Sequence, residues 1–368
     1  MNQKTVSNRL VSYKFAPPHE DRTLCFEEDT QFVVDADELG FTEAWCGHHL
    51  TLEWEPIVSN DVFLANLIAW TRQIVLACGV SILPQHHPAN VAARVALLDH
   101  LARGRLYWGF GQGGVPTDWQ LFDLPDPKTQ GLMTAEAHDI IMMLWTQDPP
   151  FGFDGRFWTV KIDKVDPEQR IGYPLKPYQK PHPPVGMTML SATSKGGLIG
   201  GAKGYMPLSS NLVHQNTVAE HWKTYCRGAA EGGRPEPDRN IWRVSRSIFV
   251  DESNDVAWAL CRNGAFGRSF EYLLALLRSA DMLNLVKHDP SVPDNDVTVE
   301  YVLKNLCIIG DVRSCQEQLQ DLWEITGGFG TLLMIKHDFD DPDRWKNCMQ
   351  VLAEDIVPAL PDVELAQT

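Results

Sequence analysis

Four clusters of side chains in this sequence have the types and spacing to do chemistry. His48 and His49 follow the apolar run 41–46, and an imidazole near neutral pH can accept or donate a proton. The plainer reading is a strand-end histidine satisfied by backbone or water. Ser191, Thr193 and Ser194 precede a helical stretch rich in glycine (Gly196, Gly197, Gly200, Gly201). Hydroxyls together with the free N–H groups of a helix start form an anion site without net positive charge, and Lys195 adds a cation. Simple N-capping explains one of these hydroxyls but three less well.

Gly109, Gly111, Gly113 and Gly114 close another apolar run. A dinucleotide fingerprint needs a helix directly after the glycines and an acid about 20 residues on. Val115-Pro-Thr-Asp-Trp119 reads as loop, which argues against that fingerprint. What remains is either close approach of a ligand to the backbone or a tight turn. The fourth cluster, Ile82-Leu-Pro-Gln-His-His-Pro88, ends a further run, and His87 is expected to tie that loop to the next helix.

These clusters must be placed by the elements around them. Nearly continuous apolar runs cover 10–15, 41–46, 74–83, 106–110, 184–190, 205–209, 242–250 and 330–335, as expected for strands buried on both faces of a parallel sheet. Helical periodicity fills the gaps: Val91, Val95, Leu98 and Leu101; Ala137, Ile140, Ile141 and Leu144; and, behind a cap at Asp311, Val312, Cys315, Leu319 and Leu322. Strand and helix therefore alternate through eight repeats, the count of a closed (β/α)8 barrel, with a doubly wound sheet as the second choice. A single domain over 1–368 is expected. The long connections 147–183, after helix 4, and 251–304, after strand 7, are candidate insertions or lids. Barrel enzymes carry their chemistry at the carboxyl ends of the strands.

The formal charge of −16, from 48 acidic and 32 basic residues, argues against nucleic acid as a partner. No run is long enough to span a bilayer and no signal peptide is evident, so a cytoplasmic protein is expected. None of the eight cysteines forms a C-x-x-C pair, and no metal site is expected.

Three segments carry a family resemblance. Gly40-Phe-Thr-Glu-Ala-Trp-Cys-Gly-His-His49 looks like a second strand ending in a Glu-His-His signature. Residues 82–88, Leu98-Asp-His-Leu-Ala-Arg-Gly-Arg105 and Tyr107-Trp-Gly-Phe-Gly-Gln-Gly113 are similar to a strand 3, helix 3, strand 4 core. Gly327-Gly-Phe-Gly-Thr-Leu-Leu333 matches the last strand. Together they resemble the luciferase-like flavin monooxygenases, in the branch with diketocamphane and limonene monooxygenases.

That resemblance implies a dimeric TIM-like barrel that takes reduced FMN from a separate reductase and uses O2 on a small apolar substrate, such as a cyclic ketone or terpenoid. It puts the catalytic histidine at His48, a non-proline cis peptide at Gly79-Val80, and the flavin beside Gly111 and Gln112 with its phosphate at Ser191 and Ser194. The aromatics of the long connection after helix 4, among them Phe151, Phe153, Phe157 and Trp158, are candidates to line the substrate pocket. Two positions depart from the pattern: Gly47 stands where the family has Glu, and Gln112 where relatives have Arg. The alternatives are a deazaflavin-dependent dehydrogenase on the same barrel and a non-catalytic flavin-binding protein.

Overall fold

The computed structural model describes residues 7–12, 16–338 and 340–361. Its strands are β1 (Ser7–Ser12), β2 (Glu43–Cys46), β3 (Val75–Ile82), β4 (Leu106–Gly111), β5 (Phe151–Asp154), β6 (Thr159–Ile162), β7 (Val185–Met189), β8 (Met206–Ser209), β9 (Arg243–Val250), β10 (Cys307–Gly310) and β11 (Thr331–Lys336). The main sheet runs β9-β11-β1-β2-β3-β4-β7-β8, and β8 pairs back onto β9 through Leu208–Arg243 and Ser209–Val244. Those strands form a closed parallel barrel, and β10 adds to β9 outside the ring. Each expected apolar run became one barrel strand; positions 13–15 of the first run lie outside the described residues.

The reason lies in burial. Every residue of β2, β9 and β11 is buried, so none of these strands alternates with solvent. Alternation runs between the barrel interior and the helix layer, and in β9 the alternate positions Arg243, Ser245 and Ser247 are buried polar side chains. Trp45, Ala77, Leu208, Leu333 and Ile335 pack inside the barrel, while Ala44, Cys46, Leu76, Cys78, Leu332 and Met334 face the surrounding helices. At the amino end of the barrel, Arg243 meets Glu43 at 2.8 Å, with both side chains buried. Trp45 Nε1 donates to the other Glu43 oxygen at 3.0 Å.

The helices are α1 (Arg22–Glu38), α2 (Asn60–Trp70), α3 (Pro88–Leu101), α4 (Pro116–Leu121), α5 (Pro127–Thr146), α6 (Lys195–Lys203), α7 (Gln215–Glu231), α8 (Asn254–Asn263), α9 (Ala265–Ser279), α10 (Val299–Leu306), α11 (Val312–Thr326) and α12 (Pro342–Val351). Carboxylates of Asp21, Asp126, Asp311 and Asp341 accept first-turn N–H groups of α1, α5, α11 and α12. His87 does the same for α3, its Nδ1 accepting from Ala89 N at 3.2 Å, as its expected tie to that helix required. Leu101, the last member of its periodic set, is exposed because α3 ends there.

Three elements differ from expectation. Residues 115–119, expected as loop, instead hold the start of α4, opened by Pro116 at a position where its fixed φ suits a helix. The hairpin β5–β6 and the short β10 were not anticipated. The hairpin is held by α5, whose Glu136 carboxylate accepts from the backbone N–H groups of Arg156, Phe157 and Trp158. Further along the same connection, Gln179 bonds Asp99 and the carbonyl of Leu106, and Lys176 bonds that of Leu144. The connection 147–183 is therefore anchored near the amino ends of the strands. The connection 251–304 leaves the carboxyl end of β9 and carries α8, α9 and most of α10.

Candidate functional site

Strands β2, β3, β4 and β7 are consecutive neighbours and parallel, so residues just past their carboxyl ends share one rim. His48 lies two residues beyond β2, Gly111 ends β4, and Ser191 lies two residues beyond β7. Gly79-Val80 is a cis peptide bond. It falls where the β3–β4 register shifts between Cys78 and Ser81. The topology thus brings all the sequence-derived candidates to one edge of the barrel.

His48 is buried, and its Nδ1 has no protein hydrogen-bond partner among the described residues. Burial first, then the neighbouring His49 and His86, lowers its pKa to about 4. At neutral pH it is a neutral imidazole. His49 is in the opposite situation. Its Nδ1 lies 3.4 Å from Asp118 Oδ2 and its Nε2 3.5 Å from Glu55 Oε2. Burial opposes its charge, but Asp118 and Glu55 outweigh that penalty and raise its pKa above the ordinary value.

The floor of the rim is tied by Asn60, at the start of α2. Its Nδ2 donates to the carbonyls of Cys46 at 3.1 Å and Val80 at 3.2 Å. Val80 in turn sets what β4 can carry. A Cβ on Gly109 would stand 2.5 Å from the Cys78 carbonyl oxygen and 3.1 Å from Val80 Cγ1, and one on Gly111 would stand 3.2 Å from Val80 Cγ2. Packing alone therefore demands glycine at 109. At 111 the fit is tight against one methyl group only. Gln112 is half-buried and lies against Gly131 of α5.

Ser194 is the N-cap residue of α6, yet its buried hydroxyl makes no capping bond to that helix. A helix start whose hydroxyl and first-turn N–H groups point to a shared acceptor suits a phosphate. The turn before it is braced from α7, where Thr224 Oγ1 donates to the Ala192 carbonyl at 2.6 Å. His221 sits beside Ser209 Oγ at 2.9 Å, and burial lowers its pKa to about 4. Ser191 and Thr193 are exposed at the same turn. The residues present therefore fit FMN: a phosphate cradle on α6 and a Cβ-free face on β4.

Sequence reading missed Asp118, Glu55, Asn60 and Tyr272. None of them carries a local signal, and residues 115–119, which hold Asp118, were expected as loop.

Comparison with known proteins gives the family and the fold. The family model for luciferase-like monooxygenases matches residues 12–328. Limonene 1,2-monooxygenase of Rhodococcus erythropolis is 30% identical over 350 residues, 93% of this chain and 84% of that protein. 3,6-Diketocamphane 1,6-monooxygenase of Pseudomonas putida is 24% identical over 373 residues, 95% of this chain and 97% of that one. The solved structure of the oxygenating constituent of 3,6-diketocamphane monooxygenase of P. putida, a type II Baeyer-Villiger monooxygenase in complex with FMN, superposes with a TM-score of 0.88 at 24% identity. It covers 97% of this chain and 99% of that one. A more distant likeness, TM-score 0.69 at 18% identity over 96% of this chain and all of the other, is to an F420-dependent secondary alcohol dehydrogenase.

Proposed function

This chain belongs to the luciferase-like monooxygenase family, and on that footing we propose that it is the oxygenating component of a two-component system. It takes reduced FMN from a separate reductase and places one atom of O2 into a small apolar substrate, a cyclic ketone or terpenoid. The observation that carries this reading is the shared rim, where a neutral buried histidine, a Cβ-free strand end and an uncapped serine at a helix start meet.

Bound reduced FMN supplies the electrons that activate O2; the residues of this chain supply position and protons. Ser191, Ser194 and the first-turn N–H groups of α6 hold the phosphate. Gly111 and Val80 border the ring, with Gln112 beside them. His48, neutral at working pH, holds or passes a proton at Nδ1. The connection 251–304, whose Tyr272 on α9 reaches Glu55 of the loop after β2, would act as the lid that keeps water out and favours transfer of oxygen to substrate over its loss.

We further propose a homodimer. The support is an apolar groove between α1 and α2, lined by Phe26, Val58, Val62, Phe63 and Trp70. Trp70 is 62% exposed and Val62 68% exposed, a patch of the kind that marks a protein contact. Among the described residues no helix is long and apolar enough to cross a membrane.

The test is a panel of cyclic ketones and terpenes given with O2 and externally reduced FMN. Oxygenated product that depends on both supports the reading. Oxygen uptake without product from any member would instead favour a protein that only binds flavin. Hydride transfer with the deazaflavin F420 and no oxygen requirement would favour the dehydrogenase reading that the distant fold likeness keeps in view.

A further inference from the structure

His49 is the meeting point of three chain segments that sequence keeps far apart. It follows β2. Asp118 comes from α4, beyond the glycine-rich end of β4. Glu55 accepts from Tyr272 of α9 at 3.4 Å, and Tyr272 stacks on Trp54 with centroids 5.1 Å apart. Asp118 is almost fully buried and divides its two oxygens between two tasks. Oδ1 accepts from Leu50 N at 3.2 Å, Thr51 N at 2.9 Å and Thr51 Oγ1 at 2.6 Å. Oδ2 is left for His49 at 3.4 Å.

We propose that Asp118 is the positioning residue of the reaction centre: it clamps the 48–51 turn to α4 and, with Glu55, holds the His49 imidazole so that the adjacent His48 is fixed at the rim, the task for which Gly47 carries no acid. This rests on the monooxygenase reading given above. The clamp is a tertiary substitute for a local one, because Gly47 has no side chain to orient either neighbouring imidazole.

The electrostatics are consistent with the geometry. His49 faces Asp118 from α4 and Glu55 from its own loop, with Tyr272 of α9 behind Glu55. His48 faces His49, His86 after β3 and Asp61 of α2, and Asp61 is paired with Arg94 of α3 at 2.6 Å. Burial works against Asp118 as an anion, but the nearby His49 and the bonds from Thr51 more than offset this and leave its pKa below the ordinary value. His49 in turn adds to the lowering at His48. The two adjacent histidines are thereby shifted in opposite directions, His49 up and His48 down.

The test uses Asp118→Asn in the full-length protein, read by histidine NMR titration, FMN affinity, and product formed per O2 consumed. The expected result is a fall of at least one pH unit in the His49 midpoint, a roughly tenfold loss of coupling, and FMN affinity within about threefold of wild type. Asp118→Glu should restore part of the coupling. An unmoved His49 midpoint overturns the clamp. A moved midpoint with undiminished coupling overturns the positioning role. If Asp118→Asn does not fold, Glu55→Gln carries the same test with the same two overturning outcomes. If the wild type makes no oxygenated product at all, the functional reading fails, while the titration still decides the clamp.

Discussion

The side-chain amide of Asn60 donates to the carbonyl of Val80 across 3.2 Å, and its second bond, to the carbonyl of Cys46, spans 3.1 Å. One buried amide at the start of α2 therefore fastens together the carboxyl ends of two barrel strands. Asn60→Ala leaves two buried acceptors without this donor, at a cost of roughly 1–3 kcal/mol. The expected outcome is a lowered urea midpoint together with FMN affinity weakened about tenfold by fluorescence titration. Loss of stability without loss of affinity would detach Asn60 from the site.

The Ser194 hydroxyl, which does not serve its own helix, is expected to serve the phosphate. Ser194→Ala should weaken FMN binding by about tenfold, in line with one charge-assisted hydrogen bond of roughly 1.5 kcal/mol. Riboflavin, which lacks the phosphate, should bind the variant and the wild type alike. Equal losses for both ligands would move the phosphate elsewhere.

At the opposite end of the barrel, Glu43 and Arg243 are buried with each other. Removing one partner strands a buried charge, a loss of roughly 3–5 kcal/mol. Glu43→Gln should accordingly lower the melting temperature by many degrees, while Glu43→Leu paired with Arg243→Met should recover much of the loss. A double variant as unstable as the single one would show that the ion pair is itself required.

His337 is held neutral by burial, between the rings of Phe266 and Phe270, with its pKa lowered to about 3. A buried histidine of this kind takes up its proton on unfolding. Its contribution is complete above the ordinary histidine range near 6.5 and is lost as pH falls towards the folded value, at roughly 1.4 kcal/mol per pH unit. His48 and His221, both lowered to about 4, act in the same direction. Stability should decline from pH 6.5 to pH 4, and His337→Gln should flatten that decline in urea titrations. An unchanged slope would show that His337 carries no such linkage.

The His49–Asp118 contact has the opposite sign on its histidine side. The raised His49 pKa gives a contribution that is full below the ordinary histidine value and is lost as pH rises through the raised one. The lowered Asp118 pKa gives one that is full above the ordinary carboxylate range and is lost as pH falls through the lowered one. His49→Gln should therefore cost most stability between about pH 4 and pH 6.5 and progressively less above. A difference in melting temperature that is constant across pH would exclude the charged pair.

How much of this was legible beforehand differs from residue to residue. The runs 242–250 and 330–335 announced strands through their apolar residues, although Arg243, Ser245, Arg246 and Ser247 interrupt the first. The β5–β6 hairpin did not, because its four-residue strands alternate half-buried and exposed positions and take their shape from Glu136 on α5. His48 stood out because a histidine directly past an apolar run is at a strand end. Asp118 did not, since its Thr51 contact spans 67 positions and no local pattern announces it.

By itself the sequence determined the alternation of strand and helix, and with it the barrel, because periodic burial is written into residue type. It also placed His48, Gly111 and Ser191 at strand ends, since each directly follows or closes its apolar run. Only the tertiary structure decided which groups complete the site: Asn60 across β2 and β3, Asp118 and Glu55 around His49, Glu43 against Arg243. Those pairings depend on loops closing in space, and a side chain's partner across a closed barrel has no fixed separation along the chain.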